Sequence, residues 1–296
     1  MDTVCVVNPA AGRGRGARLV LDLPERLARL GLPADVRATE GPRHAVELAR
    51  SAAAGGARLV VAVGGDGTAH EVVNGLAGTD AVFGLVPWGS GNDLALALGI
   101  PSDPDAALRI LAEGRDSRID LGRFDDGWFA NSLGLGFEAQ VTIESRKIRR
   151  LRGFTIYLAA VARALVRLRC PDLSLTVDGE KIEGRRLLAC FGNGPRVGGG
   201  FLLTPDADNT DGLLDLCLVD ALRRGPILRT LPKAISGTHT EDPRITMRRG
   251  RRFEVRSREG FPFHADGEVY DTLRHELTIE IQPGALAVRV PRKEGK

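Results

Sequence analysis

The sequence has few aromatic residues, 5% of its 296 positions. They are not interleaved with the arginine-rich segments, so the stacking platform of a single-strand nucleic-acid binder is missing and no nucleic-acid partner is expected. A charge excess is missing too. Lys plus Arg number 41 against 38 Asp plus Glu, a net charge of +3, so no global field imposes an anionic partner. The four cysteines, Cys5, Cys170, Cys190 and Cys217, show no Cys-x-x-Cys spacing. Three sit in apolar runs and read as small buried hydrophobes of a reducing compartment, not as a disulfide or metal framework. No uninterrupted apolar run approaches the ~20 residues of a membrane span. The longest candidate, "FTIYLAAVARALVRL", is cut by Arg163 and Arg167. No signal peptide is expected, because the first apolar run leads straight into "NPAAGRGRG". These absences predict a cytoplasmic protein whose membrane contact, if any, is peripheral. Repeats and low-complexity tracts are absent as well, and the tail "PRKEGK" reads as a frayed end.

What is present begins as strands alternating with helices. "TVCVVN", "ADVRATE", "RLVVAV" and "AVFGLVP" read as strands, the third continuously apolar as a strand covered on both faces should be. Between them fall a helix with Leu19, Leu23, Leu27 and Leu30 on one face, interrupted by Pro24, and a helix opened by Pro42 that carries Val46 and Leu48. Asp103 and Pro104 start a further helix through Leu111. The alternation predicts an α/β domain with a parallel sheet, and ligands of such sheets bind beyond the strands' carboxyl ends. Near Ile119 the pattern changes to short β runs separated by turns, with Asp126-Gly127 and Asp178-Gly179 as hairpin signals. Helical segments around 142–169 and 223–236 interrupt this region. The division expected is residues 1–121 and a mostly antiparallel β domain over 122–283.

"RLVVAVGGDGTAHEVVNGL" carries the chemistry. Gly64, Gly65 and Gly67 let backbone amides approach an anion, and a helix N-terminus follows. Thr68 with Glu71 reads as a capping box. Asp66 then stands among groups shaped for phosphate. Magnesium, which takes one or two carboxylates together with substrate phosphates, would reconcile the two charges. The competing reading is a glycine turn in which Asp66 bonds local backbone. "NPAAGRGRG", with Gly12, Gly14 and Gly16, and "PWGSGNDLA", with Ser90 to Asp93, follow the first and fourth strands. Three such loops on one sheet edge favour a nucleotide site, although none completes a P-loop or a dinucleotide fingerprint.

"VVNPAAGRGRG", "VGGDGTAHEVVNGL", "VPWGSGNDLALALG", "NGPRVGGGFLLTPDADNTDGLLDLCLVD" and "FHADGEVY", in this order and spacing, resemble the bacterial diacylglycerol kinase-like lipid kinases, relatives of diacylglycerol and sphingosine kinases, over nearly the whole chain. The resemblance implies an NAD kinase/phosphofructokinase-like α/β domain and a β-rich lipid-substrate domain with the active site in the cleft between them. A last strand near 284–292 would return to the first domain. It implies ATP and Mg2+, and γ-phosphate transfer to a lipid hydroxyl. Carried over by position, nucleotide contacts fall on Asn8, Pro9, Ala10, Ala11 and Gly12, on Thr39, on Gly65, Asp66, Gly67, Thr68, Ala69, His70 and Glu71, and on Ser90. The catalytic base maps to Glu268. A second, structural magnesium maps to the Asp211 carboxylate with the backbone carbonyls of Asp208 and Leu213.

Three positions depart from the family pattern. Ser90 stands where Thr is common, His70 where Asn is usual, and Trp88 where an aliphatic residue is usual. Without the resemblance "ADGE" reads simply as an Asp-Gly hairpin turn, and "DNTDGLL" as an Asx-type turn entering a strand. The basic run with Arg146, Lys147, Arg149, Arg150 and Arg152 suits anionic headgroups. It equally suits a solvated cap on a core helix that buries Val161, Leu165 and Leu168. "RITMRRGRRFEVRSR" reads as a hairpin with an exposed arginine tip. The favoured reading is a lipid kinase with a lipid substrate and transient membrane contact at the inner face. The rivals are an NAD kinase-like phosphotransferase on a soluble substrate and a catalytically silent regulator. The acceptor lipid is open, and a homodimer is compatible with the sequence.

Overall fold

The computed structural model describes residues 1–12, 16–125, 127–148, 151 and 154–292, without the side chains of 16–19 and 271. The expectations for Gly14, Asp126, Arg149, Arg150 and Arg152, for the Leu19 side chain and for the tail beyond Arg292 lie outside the described residues. The chain divides into two compact units, residues 1–119 with 284–296, and residues 120–283.

In the first unit β1 (Thr3–Val7), β2 (Asp35–Ala38), β3 (Leu59–Gly64) and β4 (Val82–Pro87) pair in parallel, in the order β4-β3-β1-β2. Every residue of β1 and β3 is buried, as strands covered on both faces must be. Helix α1 (Gly16–Arg29) turns Leu23 and Leu27 fully inward and runs through Pro24. Helix α2 (His44–Ala54) begins two residues after Pro42, because Arg43 adopts a left-handed conformation. Its buried stripe is Ala45, Ala49 and Ala52, while Val46 and Leu48 are only half-buried. The small stripe suits helix α3 (Asp66–Leu76): a Cβ on Gly75 would lie 2.6 Å from the Val46 carbonyl oxygen. Glycine there permits the two backbones to touch. Helices α4 (Asp93–Ala97) and α5 (Pro104–Glu113) follow β4. Asp103 caps α5 by accepting the Ala106 N–H at 2.8 Å, with Pro104 as first helical residue, a cap worth about 1 kcal/mol. The chain's final strand, β13 (Glu268–Val290), ends in this unit with Val288 beside Phe83 of β4 in parallel.

The second unit is antiparallel. After β5 (Arg115–Phe124) and β6 (Gly127–Phe129) come β7 (Ser132–Gly136), β8 (Asp172–Val177), β9 (Glu180–Gly192), β10 (Leu214–Asp220), β11 (Ile245–Gly250) and β12 (Arg252–Ala265). Strands β7 and β8 each pair with both β9 and β12, so the four close on themselves. One core gathers Phe191, Phe253, Phe261 and Phe263, with Phe191 and Phe253 edge to face at 5.1 Å. A second core lies under helices α6 (Phe137–Arg146), α7 (Phe154–Val166) and α8 (Arg224–Ser236). Alternate residues of β10 serve the two: Leu214, Leu216 and Leu218 enter the first, Cys217 and Val219 the second. That is the period-two geometry of a strand buried on both faces. Burial pushes the Cys5 and Cys217 thiols up to about 12, so they behave as the hydrophobes expected from composition.

Two expectations change. The segment around 142–169 is two helices, and the first starts early because Gly136, at φ 73°, turns the end of β7 directly into Phe137. "RITMRRGRRFEVRSR" is not a hairpin. Its halves pair with different strands, β11 with β10, and β12 with β13, β7 and β8. Val161 and Leu165 are buried as expected, with Leu168 packed against them. Among the described residues no helix is long and apolar enough to cross a membrane.

Candidate active site

In the first unit the three glycine-bearing loops sit at the carboxyl ends of β1, β3 and β4 and are tied together by side chains. Asn8 follows β1. Its Oδ1 accepts the Ala10 N–H at 2.9 Å and its Nδ2 donates to Thr68 Oγ1 at 3.2 Å. Pro9 and Ala11 complete this turn, with the Ala11 N–H on the Asn8 carbonyl at 3.0 Å. Gly12 closes it at φ 59°, where a Cβ would lie 2.4 Å from the Trp88 indole nitrogen. Trp88, the departure from the family pattern, is therefore accommodated by Gly12. Thr39, just beyond β2, donates its N–H to the Val7 carbonyl at 2.8 Å.

The next loop explains its own carboxylate in part. Helix α3 starts at Asp66, with Gly65 as its cap. Asp66 Oδ2 accepts the Asn92 N–H and Oδ1 the Asp93 N–H, both at 2.8 Å. These amides open α4, so Asp66 caps a helix 26 residues away in sequence. Asn92 Oδ1 in turn accepts the Gly89 N–H at 2.9 Å. The two loops touch through glycine: a Cβ on Gly89 would lie 2.6 Å from the Gly65 Cα. Ser90, at the tip of the fourth-strand loop, is exposed.

The capping-box expectation is corrected. Thr68 lies inside the first turn of α3 and receives Asn8. The Glu71 carboxylate reaches the other way and accepts the N–H groups of Arg43 at 2.9 Å and Ala45 at 3.1 Å, the start of α2. Gly67 and Ala69 belong to that first turn, the Ala69 N–H reaching the Gly65 carbonyl at 3.0 Å. His70 is buried, its Nε2 3.4 Å from Asn74 Nδ2. Glu71 thus braces the helix start from behind.

In the second unit Glu268 opens β13 directly after a two-residue turn, Asp266 at φ 49° and Gly267 at φ 81°, with Ala265 paired to Glu268. The Asp266 carboxylate accepts the N–H groups of Ala130, Asn131 and Ser132 at 2.8–3.0 Å. The Glu268 side chain is 37% exposed and pairs with Arg146 at 2.7 Å. Arg146 also donates to the Gly267 carbonyl at 2.9 Å. Lys147, the other described residue of the basic run's start, pairs with Glu144 at 2.7 Å.

At "DNTDGLL", Asp208 Oδ1 accepts the Thr210 N–H at 3.0 Å and the Thr210 hydroxyl at 2.7 Å. Asp211 Oδ1 accepts the Leu213 N–H at 3.0 Å, while its Oδ2 pairs with Arg249, which also reaches Asp215 at 3.3 Å. A guanidinium therefore meets the charge that a magnesium ion was expected to meet. Among the described residues no group of three His, Cys, Asp or Glu side chains could hold a metal. The glycine-bearing loops do offer hard oxygen donors, Asp66 and Asp93, of the kind magnesium uses beside substrate phosphates.

Sequence reasoning placed Asn92 and Asp93 in the fourth-strand loop but missed what they, and several other residues, do. Asn92 and Asp93 supply the amides on Asp66, and Gly89 permits the loop contact. Asp266 anchors the turn before Glu268. Glu138 and His264 form a buried pair at 3.1 Å behind that turn. The one available signal for Glu138 was a carboxylate in the otherwise apolar "SLGLGFEAQV".

Comparison with known proteins also divides the chain in two near residue 120, although the second match runs on through the final strand. The diacylglycerol kinase catalytic domain matches residues 2–124, and the YegS C-terminal NAD kinase beta sandwich-like domain matches residues 131–290. A diacylglycerol kinase of Mycobacterium tuberculosis is 35% identical over 295 residues, covering 97% of this chain and 94% of that protein. A diacylglycerol kinase of Staphylococcus aureus is 29% identical over 266 residues, covering 89% and 84%. A crystal structure of a diacylglycerol kinase from Bacillus anthracis superposes with a TM-score of 0.76 at 21% identity, covering 98% and 96%, which speaks to the fold alone. With both domains matched in order and a relative 35% identical along almost its whole length, the chain belongs to the diacylglycerol kinase-like family of phosphotransferases that act on an alcohol group.

Proposed function

We propose that this protein transfers the γ-phosphate of ATP to the hydroxyl of a lipid alcohol, with diacylglycerol, named in its relatives, as the first acceptor to test. The observation that carries the reading is the tying of three loops by Asn8, Asp66 and Asn92. Their backbone amides and the N-terminus of α3 suit the phosphates. Residues Asn8 to Gly12, Thr39, Gly65 to Glu71 and Ser90 would line the nucleotide, with Thr68 and Glu71 bracing the loop. Magnesium arriving with ATP would neutralise charge on the transferred group, and Asp66 and Asp93 are the carboxylates that fit it. Phosphoryl transfer asks the protein mostly for positioning and charge. A lipid alcohol is a weak nucleophile, so a carboxylate that takes its proton helps, and Glu268 is the candidate. A second ion at Asp208, Asp211 and Leu213 is not part of the proposal, because Arg249 already answers Asp211.

Transient contact with the inner membrane surface completes the reading. It is supported by α7 and its flank, which carry Arg163, Arg167 and Arg169 with no acidic residue between Phe154 and Cys170. The test is incubation with labelled ATP, magnesium and a panel of lipid alcohols, alongside NAD. Label should enter a lipid and not NAD. In Glu268→Gln, turnover should fall about a hundredfold or more while affinity for a magnesium–ATP analogue stays within a few fold, the share of a general base. Label in NAD alone would replace the lipid acceptor, and wild-type turnover in the mutant would remove Glu268 from the chemistry.

A further inference from the structure

Helix α6 meets the Glu268 turn at both of its ends. At its end Arg146 holds the Glu268 carboxylate and the Gly267 carbonyl. At its beginning Glu138, in the first turn, holds His264. The side chains of both residues are less than 10% exposed, and Glu138 Oε1 lies 3.1 Å from His264 Nε2. The opposite ring nitrogen, Nδ1, accepts the Gly267 N–H at 3.3 Å. A nitrogen that accepts carries no hydrogen, so the hydrogen of the neutral ring sits on Nε2 and points at Glu138. The chain of contacts runs from Glu138 through the imidazole to the backbone of the residue before Glu268.

The surroundings are built for this pair. Gly134 of β7 lies against it: a Cβ there would fall 2.4 Å from Glu138 Cδ and 2.6 Å from His264 Nε2. A side chain at 134 would displace one or both of them. Burial first, and then the Glu138 charge, keep the Cys190 thiol protonated beside the carboxylate. Burying a carboxylate carries a desolvation cost, and an apolar pair of the same volume would serve packing alone. What the apolar pair could not do is orient an imidazole toward one backbone amide of a turn.

We propose that Glu138 and His264 are positioning residues, which fix the Asp266–Gly267 turn and so set the reach of the Glu268 carboxylate. The proposal rests on the reading of Glu268 as the base. Two substitutions separate the ring's two contacts. In His264→Asn the amide oxygen stands near the Nδ1 position and can still accept the Gly267 N–H. In His264→Gln the amide reaches the Nε2 position and can still donate to Glu138, but the turn loses its acceptor.

The experiment measures kcat and KM with ATP and diacylglycerol in anionic vesicles, melting temperature, and the same substitutions in a Glu268→Gln background. His264→Gln should lower kcat about ten- to a hundredfold, the scale of a small misplacement. KM for ATP should be unchanged, and His264→Asn should lose about threefold or less. In the Glu268→Gln background His264→Gln should cost less than about twofold more, because a residue acting only through the base has nothing left to position. Equal losses in His264→Asn and His264→Gln, or a full multiplicative loss in the double mutant, would overturn the pair's role while leaving Glu268 as the base. Wild-type turnover in Glu268→Gln alone would instead overturn the base and the proposal with it. If a His264 variant does not fold, Glu138→Gln, which keeps shape and one acceptor oxygen, carries the same coupling test, with an expected loss of about three- to tenfold.

Discussion

Replacing Asp66 with Asn exchanges one acceptor oxygen for an NH2 group that would face a backbone N–H of Asn92 or Asp93. An amide left facing a donor costs about 1–3 kcal/mol. Asp66→Asn should therefore abolish lipid phosphorylation and also lower the melting temperature of the nucleotide-free protein by roughly 3–8 °C. Activity assay and thermal melting without nucleotide check this together. Loss of turnover with an unchanged melting temperature would leave Asp66 a ligand of the metal–nucleotide complex alone. Wild-type turnover would remove it from the site. Asp66 was legible as an anomaly, a carboxylate among glycines. The groups that answer it were not, because they follow another strand. Glu71 was misread for the same reason. Three-residue spacing to Thr68 is a local cue, whereas the orphan amides of α2 that it satisfies become visible only when α2 packs against α3.

At the scale of elements the turn before β10 shows what pairing adds to pattern. Arg249 of β11 stands directly across from Asp215 of β10 and extends to Asp211 at the turn. Burial raises the Asp215 carboxyl above its ordinary value, and Arg249 pulls it back. Opposite charges facing across strands stabilise a sheet by up to about 1 kcal/mol, and stranding Asp215 near the core would cost more. Arg249→Met should lower the melting temperature by roughly 3–8 °C, while a chelator should shift the wild type by less than about 1 °C. A chelator effect on the wild type as large as the mutation's would assign the turn to a metal ion. The strands themselves were readable: "LDLCLVD" is β10 and "TVCVV" is β1, since apolar runs bounded by turn residues leave little alternative. Their partners were not. The arginine-rich stretch from Arg244 to Arg258 looked like a hairpin because its two β runs are adjacent. Strand pairing is decided by faces that bury together, and each run buries against a different neighbour.

For the whole molecule, the first unit is assembled from the two ends of the sequence, residues 1–119 and 284–296, with the second unit between them. Leu286 and Val288 are fully buried and Val288 lies against β4. Removing two such side chains forfeits about 3–6 kcal/mol, a large part of the 5–15 kcal/mol that keeps a domain folded. A chain ending at Pro283 should lose the cooperative melting of its first unit and aggregate, as followed by calorimetry and sedimentation. Retained nucleotide binding at wild-type affinity would contradict this. The same arrangement governs how the chain is made. During translation at about 5–20 residues per second, β4 emerges roughly 10–40 s before the strand that covers it. Throughout that interval the ribosome-bound chain presents an open strand edge, a template for pairing with other nascent chains. The second unit, contiguous in sequence, can be complete before the first. Synthesis at low temperature, where hydrophobic association weakens, should therefore raise soluble yield more for this protein than for one whose domains follow one another along the chain.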